Sequence, residues 1–164
     1  MSELNNIALK ILSNGKGILA ADESNGTMTK RLDSVNVAST PENRLFFRET
    51  LFKSESMKDC IGGVILFDET INQTSISKKT IPYIISETGA VPGIKVDTGA
   101  KVLASSTEER ITEGLDGLRE RLKRYYNLGA KFTKWRGVYN IGQEYPSKLA
   151  ISSNAHALAR YSAL

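Results

Sequence analysis

The sequence predicts an α/β fold in which βα units build a parallel sheet, and three observations carry that prediction. Four short apolar runs recur along the chain, each closing on a polar or charged residue. Helix-patterned stretches separate them, and the runs lie roughly 30 to 45 residues apart, which suits a strand, a crossover helix and their loops. A closed barrel of eight such units typically takes about 250 residues. At 164 residues the chain has room for about four of them.

The elements follow in order. Residues 5–12 pattern as a short helix ahead of the first run, 17–22, which ends on Asp22. The segment from Asp22 to Thr27 enters the next helix. Thr40 and Pro41 offer an N-cap and a first-turn proline for a helix over 42–53, where Leu45, Phe46, Glu49 and Phe52 follow the 3.6-residue period on a mixed face. The second run, 61–68, begins after Cys60, which reads as a small buried hydrophobe opening the strand. A short helix running from Ile81 to Thr88-Gly89 carries proline near its start, and the third run, 91–97, follows. Leu115, Leu118, Leu122 and Tyr125 keep helical spacing, with Gly129 as the C-terminal cap, before the fourth run at 131–136. From Pro146 the pattern is helical again, with Ile151, Ala155, Leu158 and Tyr161 in phase. It stops at Leu164 without a cap, as though interrupted within the fourth barrel helix. No linker or composition shift divides the chain, so 1–164 reads as a single unit.

Composition narrows the chemistry. Apolar residues make up 40% and charged residues 24%, which excludes a disordered chain. There is no apolar stretch of about 18 residues and no leader-like amino end, so a cytosolic protein that neither crosses nor binds a membrane is expected. One cysteine cannot form an internal disulfide. With a single histidine beside it, the usual zinc ligand sets are out of reach, and His156 is expected to pack or face solvent. Between Arg119 and Arg136 seven basic residues face one acid. Without interleaved aromatics this reads as a solvated helix face, with no nucleic-acid partner expected. No phosphate-binding Gly-x-x-x-x-Gly-Lys loop and no Gly-x-Gly-x-x-Gly turn occurs, so nucleotide cofactors are not indicated.

Side chains alternate across a strand, so Lys134 and Arg136 project to one side and Trp135 to the other, while Lys95 and Asp97 project together. Cations on the inner face of a parallel sheet need partners or solvent, and the carboxyl ends of such strands are where ligands of these folds bind. Asp22, Lys95, Asp97, Lys134 and Arg136 therefore read as one strand-end cluster suited to a small, multiply anionic substrate; structural ion pairing is the plainer reading of some of them. A lysine crowded by other cations has its amine partly freed for proton transfer or attack. Ser24 and Thr27 add hydroxyls at a helix start, where they serve equally well as caps.

Five segments are more specific: 15–24 (Gly-Lys-Gly-Ile-Leu-Ala-Ala-Asp-Glu-Ser), 61–67 (Ile-Gly-Gly-Val-Ile-Leu-Phe), 93–97 (Gly-Ile-Lys-Val-Asp), 114–118 (Gly-Leu-Asp-Gly-Leu) and 132–136 (Phe-Thr-Lys-Trp-Arg). In order and spacing they resemble class I fructose-bisphosphate aldolase across residues 5–164. The resemblance implies a (β/α)8 TIM barrel, a homotetramer and reversible cleavage of fructose 1,6-bisphosphate to dihydroxyacetone phosphate and glyceraldehyde 3-phosphate. It implies a lysine Schiff base, with neither metal nor cofactor. By motif, Asp22 corresponds to the aspartate that orients the sugar hydroxyls, and Lys134 to the lysine whose charge keeps the imine-forming amine neutral. Lys95, Arg136, Ser24 and Thr27 correspond to substrate and phosphate contacts, although many members have serine where Thr27 stands. The family's Schiff-base lysine and acid/base glutamate fall outside the matched segment, so residues 1–164 alone are expected to be inactive. The competing reading is a non-catalytic half barrel whose open sheet edges and apolar face bind another chain.

Overall fold

A computed structural model describes residues 2–164. Among the described residues the strands are β1 (Gly17–Ala21), β2 (Ile61–Leu66), β3 (Val91–Lys95), β4 (Gly99–Val102), β5 (Arg110–Glu113) and β6 (Phe132–Lys134). The α-helices are α1 (Glu3–Leu12), α2 (Asn25–Asp33), α3 (Pro41–Phe52), α4 (Met57–Cys60), α5 (Asp68–Ile71), α6 (Ile81–Glu87), α7 (Leu118–Asn127) and α8 (Lys148–Ala163). The chain divides into two compact units: one runs up to Lys95 and adds Tyr125–Thr133, and the other joins Val96–Arg124 to Lys134–Leu164.

The four apolar runs form one sheet in the order β1-β2-β3-β6. β1 and β2 are parallel, as are β2 and β3. Lys131 N–H donates to Pro92 O, and further along both strands Val96 N–H donates to Lys134 O, so β6 runs in the same direction. Strand alternation sorts the residues of the first unit. Ala21, Val64, Leu66 and Ile94 share one face and are buried; α6 packs against β3, and its Ile81 and Ile85 are fully buried as well. Burying each such side chain is worth roughly 1.5–3 kcal/mol. On the other face Ala20 pairs with Ile65, and Ile65 with Gly93.

Two glycines let neighbouring groups approach this sheet. A Cβ on Gly62 would lie 1.8 Å from the Ile11 carbonyl oxygen, so α1 can press its last turn onto β2 only where no side chain stands. A Cβ on Gly93 would lie 2.4 Å from the Phe132 ring, which occupies that space instead.

Helix ends follow the expected chemistry. The Thr40 hydroxyl accepts from Asn43 N–H at 3.2 Å ahead of Pro41, and Ser147 caps α8 through Ala150 N–H at 3.1 Å. Gly89 and Gly129 take φ of +86° and +109° after α6 and α7, the left-handed region that favours glycine.

Several expectations are corrected. In α3 the buried face is Arg44, Arg48, Glu49 and Phe52, whereas Phe46 is 70% exposed. The arginines can occupy that face because their guanidiniums reach carboxylate, hydroxyl and carbonyl partners, Arg44 on Glu69 and Arg48 on Thr70 and the Glu23 carbonyl. In α8 the buried residues are Ala150, Asn154 and Ala157, one position out of phase with the expected Ile151 and Ala155. Small residues and an amide, not large apolar side chains, make that contact. Cys60 is exposed and ends α4 rather than opening a strand. His156 is exposed.

The antiparallel hairpin β4–β5, with Gly99 opposite Glu113 and Val102 opposite Arg110, was not legible from periodicity. It belongs to the second unit, where α8 packs on β5 and Asn154 Nδ2 donates to Arg110 O at 2.9 Å. Among the described residues no helix is long and apolar enough to cross a membrane.

Candidate active site

In the first unit Asp22 follows β1 and Lys95 ends β3. Asp22 and Phe67 stand one residue past the ends of β1 and β2, and Lys95 is the last residue of β3, so all three lie at the carboxyl ends of adjacent parallel strands. β1 and β3 flank β2, so the two backbones are roughly 10 Å apart, two interstrand spacings. Asp22 is 8% exposed and Lys95 is half-buried.

The turn after Asp22 starts α2. Ser24 Oγ accepts from Thr27 N–H at 3.3 Å, and the two hydroxyls lie 3.2 Å apart. Ser24 is therefore the helix cap, and both side chains remain exposed.

Behind this turn sits a cluster that sequence reasoning missed. Arg48 is fully buried. Its Nη1 donates to Thr70 Oγ1 at 2.7 Å, and its Nη2 donates to the carbonyl of Glu23, the residue between Asp22 and Ser24. The Arg48 guanidinium also lies 6.0 Å from the Phe67 ring centre. Glu23 pairs with Arg31 at 2.6 Å, while Arg44 Nε donates to Glu69 Oε2 at 2.8 Å.

The titrations follow from these partners. Burial lowers the Arg48 pKa, opposed by the charges of Glu23 and Glu69. The hydrogen bond to Glu69 raises that of Arg44. The same bond holds the Glu69 carboxyl below its ordinary value, with burial acting the other way. In sequence, Arg44 and Arg48 stand i, i+4 on α3, but the apolar residues between them dominated the periodicity. The spacing of the two arginines was the available signal.

In the second unit Asp97, Lys134 and Arg136 are joined through the backbone. Asp97 Oδ1 accepts from Gly99 N–H at 3.0 Å, and Oδ2 accepts from Arg136 N–H at 3.2 Å. Thr112 Oγ1 donates to Arg136 O at 2.6 Å. Trp135 stacks on Tyr161 of α8, with ring centres 5.2 Å apart and 29° between planes. β6 ends at Lys134, two residues short of the expected run, so Trp135 and Arg136 lie beyond the strand whose alternation would sort them. Lys134 is half-buried and Arg136 exposed.

Arg121 completes this frame by donating from Nη1 to Val96 O at 2.8 Å and from Nη2 to Gly114 O. Gly114 has φ of +130°, and a Cβ there would lie 3.0–3.2 Å from backbone atoms of Val96, Asp97 and Thr98. The first unit thus presents one buried carboxylate, Asp22, and one cation, Lys95, at its strand ends, and the second presents Lys134 and Arg136 with Asp97 bracing the backbone; cations suit phosphate and a carboxylate suits hydroxyls, the groups of a phosphorylated polyol.

Comparison with known proteins extends this reading. The glycolytic family described as fructose-bisphosphate aldolase class-I matches residues 3–164. A probable fructose-bisphosphate aldolase class 1 of Xylella fastidiosa is 50% identical over 164 residues, covering 100% of this chain and 49% of that protein. Fructose-bisphosphate aldolase B of Gallus gallus is 52% identical over 162 residues, covering 98% of this chain and 44% of that protein. Among solved structures, a Plasmodium falciparum fructose-bisphosphate aldolase crystallised with TRAP and a small-molecule inhibitor matches with a TM-score of 0.92 at 43% identity. That match covers 97% of this chain and 46% of the other. The chain spans about half the length of the curated relatives it matches, and its parallel α/β sheet is part of a (β/α)8 barrel. With the family pattern matched over nearly every residue, the chain belongs to the class I fructose-bisphosphate aldolase family.

Proposed function

We propose that residues 1–164 form the amino-terminal half of an aldolase that reversibly cleaves fructose 1,6-bisphosphate to dihydroxyacetone phosphate and glyceraldehyde 3-phosphate. The family match over residues 3–164 carries the reading. Asp22 and Lys95 at the strand ends of the first unit, and Lys134 and Arg136 in the second, support it.

In this reading the substrate carbonyl condenses with a lysine to an imine, which accepts the electron pair released when the C3–C4 bond breaks. That lysine, by family resemblance, lies in the part of the relatives that this chain does not span. Lys134 contributes charge: an ammonium beside a second amine disfavours protonation of its neighbour and leaves it nucleophilic. Asp22 accepts hydrogen bonds from sugar hydroxyls and orients them. Lys95 and Arg136 bind phosphate through charge-assisted hydrogen bonds, and the exposed hydroxyls of Ser24 and Thr27 add contacts at the start of α2. A homotetramer is the assembly that goes with this function.

The test separates charge from imine formation. A polypeptide of residues 1–164 alone should give no measurable cleavage, and borohydride should not trap dihydroxyacetone phosphate on it. Mixed with a polypeptide carrying the second half of a relative, it should regain turnover. In that complex Lys134→Met should lower kcat far more than it raises KM, whereas Arg136→Ala should raise KM as well. Trapping on the isolated polypeptide, mapped to Lys134 by mass spectrometry, would overturn the assignment.

A further inference from the structure

The hairpin β4–β5 is the element that periodicity did not anticipate, and two of its side chains reach the segment that follows Arg136. Thr112 on β5 is 3% exposed, and its hydroxyl donates to Arg136 O at 2.6 Å. Glu109, at the start of the returning strand, is 5% exposed. Its two carboxylate oxygens accept from Ser147 N–H at 2.7 Å and Ser147 Oγ–H at 2.6 Å. Between these points Asn140 Nδ2 donates to Glu108 O. The hairpin therefore holds residues 136–147 at the start, in the middle and at the end.

The start of that segment is held from two directions. Arg136 N–H is engaged by Asp97 and Arg136 O by Thr112, so both peptide planes flanking its Cα are fixed. A residue with both neighbouring peptides anchored has its Cα–Cβ direction set by the backbone. The long side chain that leaves it explores a cone rather than a sphere, and less freedom is lost when it closes on an anion.

Thr112 is itself well supported. It sits opposite Ala100 in the hairpin, and Thr98 N–H donates to Glu113 O at 2.9 Å, tying the hairpin base to the strand end that carries Asp97. Asp97 Oδ1 closes the same base through Gly99 N–H.

We propose that Thr112 is a positioning residue for Arg136: its hydroxyl, acting with the Asp97 carboxylate, pre-sets the direction in which the Arg136 guanidinium meets a substrate phosphate. The inference rests on the reading of Arg136 as a phosphate contact. Thr112 touches no reacting atom; it acts through the Arg136 peptide. The branched side chain fills a buried position and the hydroxyl supplies the tether, so the two contributions can be separated by substitution. Thr112→Val keeps the shape and removes the hydrogen bond, whereas Thr112→Ser keeps the hydrogen bond and removes a methyl.

The experiment uses the 164-residue chain with fructose 1,6-bisphosphate as the probe. Binding is followed by calorimetry, and amide hydrogen exchange at Arg136 and Gly137 is read by NMR. Thr112→Val should speed exchange at these amides and weaken binding by about three- to tenfold, the range for loss of one hydrogen bond. Thr112→Ser should restore both, and exchange at Val64 in β2 should stay at the wild-type rate in either variant. Wild-type affinity in Thr112→Val would overturn the proposal, with or without a change in local exchange. So would equal weakening in Thr112→Val and Thr112→Ser, which would assign the effect to packing. If the unsubstituted chain and Arg136→Ala bind the probe equally well, the phosphate reading of Arg136 fails. Faster exchange in Thr112→Val would then still establish the brace as a backbone device, which separates the two failures.

Discussion

The sheet of the first unit and the hairpin-and-helix region of the second are organised by different forces. Around β1, β2 and β3 the buried surface is built from Val64, Leu66, Ile81, Ile85 and Ile94, with glycines admitting α1 and the Phe132 ring where the backbone must be approached closely. Around β4, β5 and α8 the buried apolar side chains are fewer and smaller, and Asp97, Glu109, Thr112 and Asn154 are buried among them. Each of those four is hydrogen-bonded to backbone. Apolar burial has little directional preference and tolerates rearrangement, whereas a side chain bonded to a particular carbonyl or amide specifies one placement of the chain. The second unit therefore gains positional definition from groups that contribute modestly to stability.

The exception within the first unit provides the strongest test of that contrast. Arg48 is fully buried under the Asp22–Ser24 turn, with one Glu23 oxygen buried and without a hydrogen-bond partner. Arg48→Met removes the charge while keeping apolar bulk. It leaves Glu23 with Arg31, and Glu69 with Arg44, as the surviving pairs. Arg48 Nη2 lies 3.8 Å from Glu23 Oε2 and Nη1 4.0 Å from Glu69 Oε2, and breaking a buried pair from one side costs about 3–5 kcal/mol. The surviving pairs favour the lower end, a drop in melting temperature of roughly 10 °C. A melting temperature within about 2 °C of wild type would show that this network is not structural.

A smaller effect is expected in the second unit. Glu109→Ala strands Ser147 N–H and loosens the start of α8, at a cost of about 2 kcal/mol, as for a hydrogen bond to a charged group. Exchange should rise at Ser147 and through the first turn of α8 while β1–β3 stay protected. Uniform loosening of both regions would contradict a local, directional role.

The gentlest effect is a displacement along the pH axis. Glu69 has its carboxyl lowered from the ordinary 4.5, chiefly by the hydrogen bond from Arg44. Because the folded value is the lower one, the stabilisation is present above about pH 4.5 and lost as pH falls through the lowered folded value. The stability difference between wild type and Glu69→Gln should therefore shrink as the medium is acidified from neutral pH. A difference that persists unchanged to about pH 3 would remove Glu69 as its source.

By itself the sequence was sufficient for the strand-helix alternation, the cap at Thr40 and the glycine Gly129 after α7, because these are local consequences of side-chain alternation, missing donors and permitted φ. The five motif segments also pointed to the family that matches residues 3–164. Tertiary structure decided which charged side chains are buried. Arg44 and Arg48 lie beside apolar residues in sequence, and only the approach of Glu69, Thr70 and the Glu23 carbonyl, more than 20 residues away, makes their burial tolerable. The hairpin lacks a local signature for the same reason: β4 and β5 are four residues each, and they are placed by bonds to Arg136, Ser147 and Asn154. Periodicity records which face a residue prefers. A hydrogen bond between distant segments depends on where both are carried by the fold, and that placement has no local signature in either.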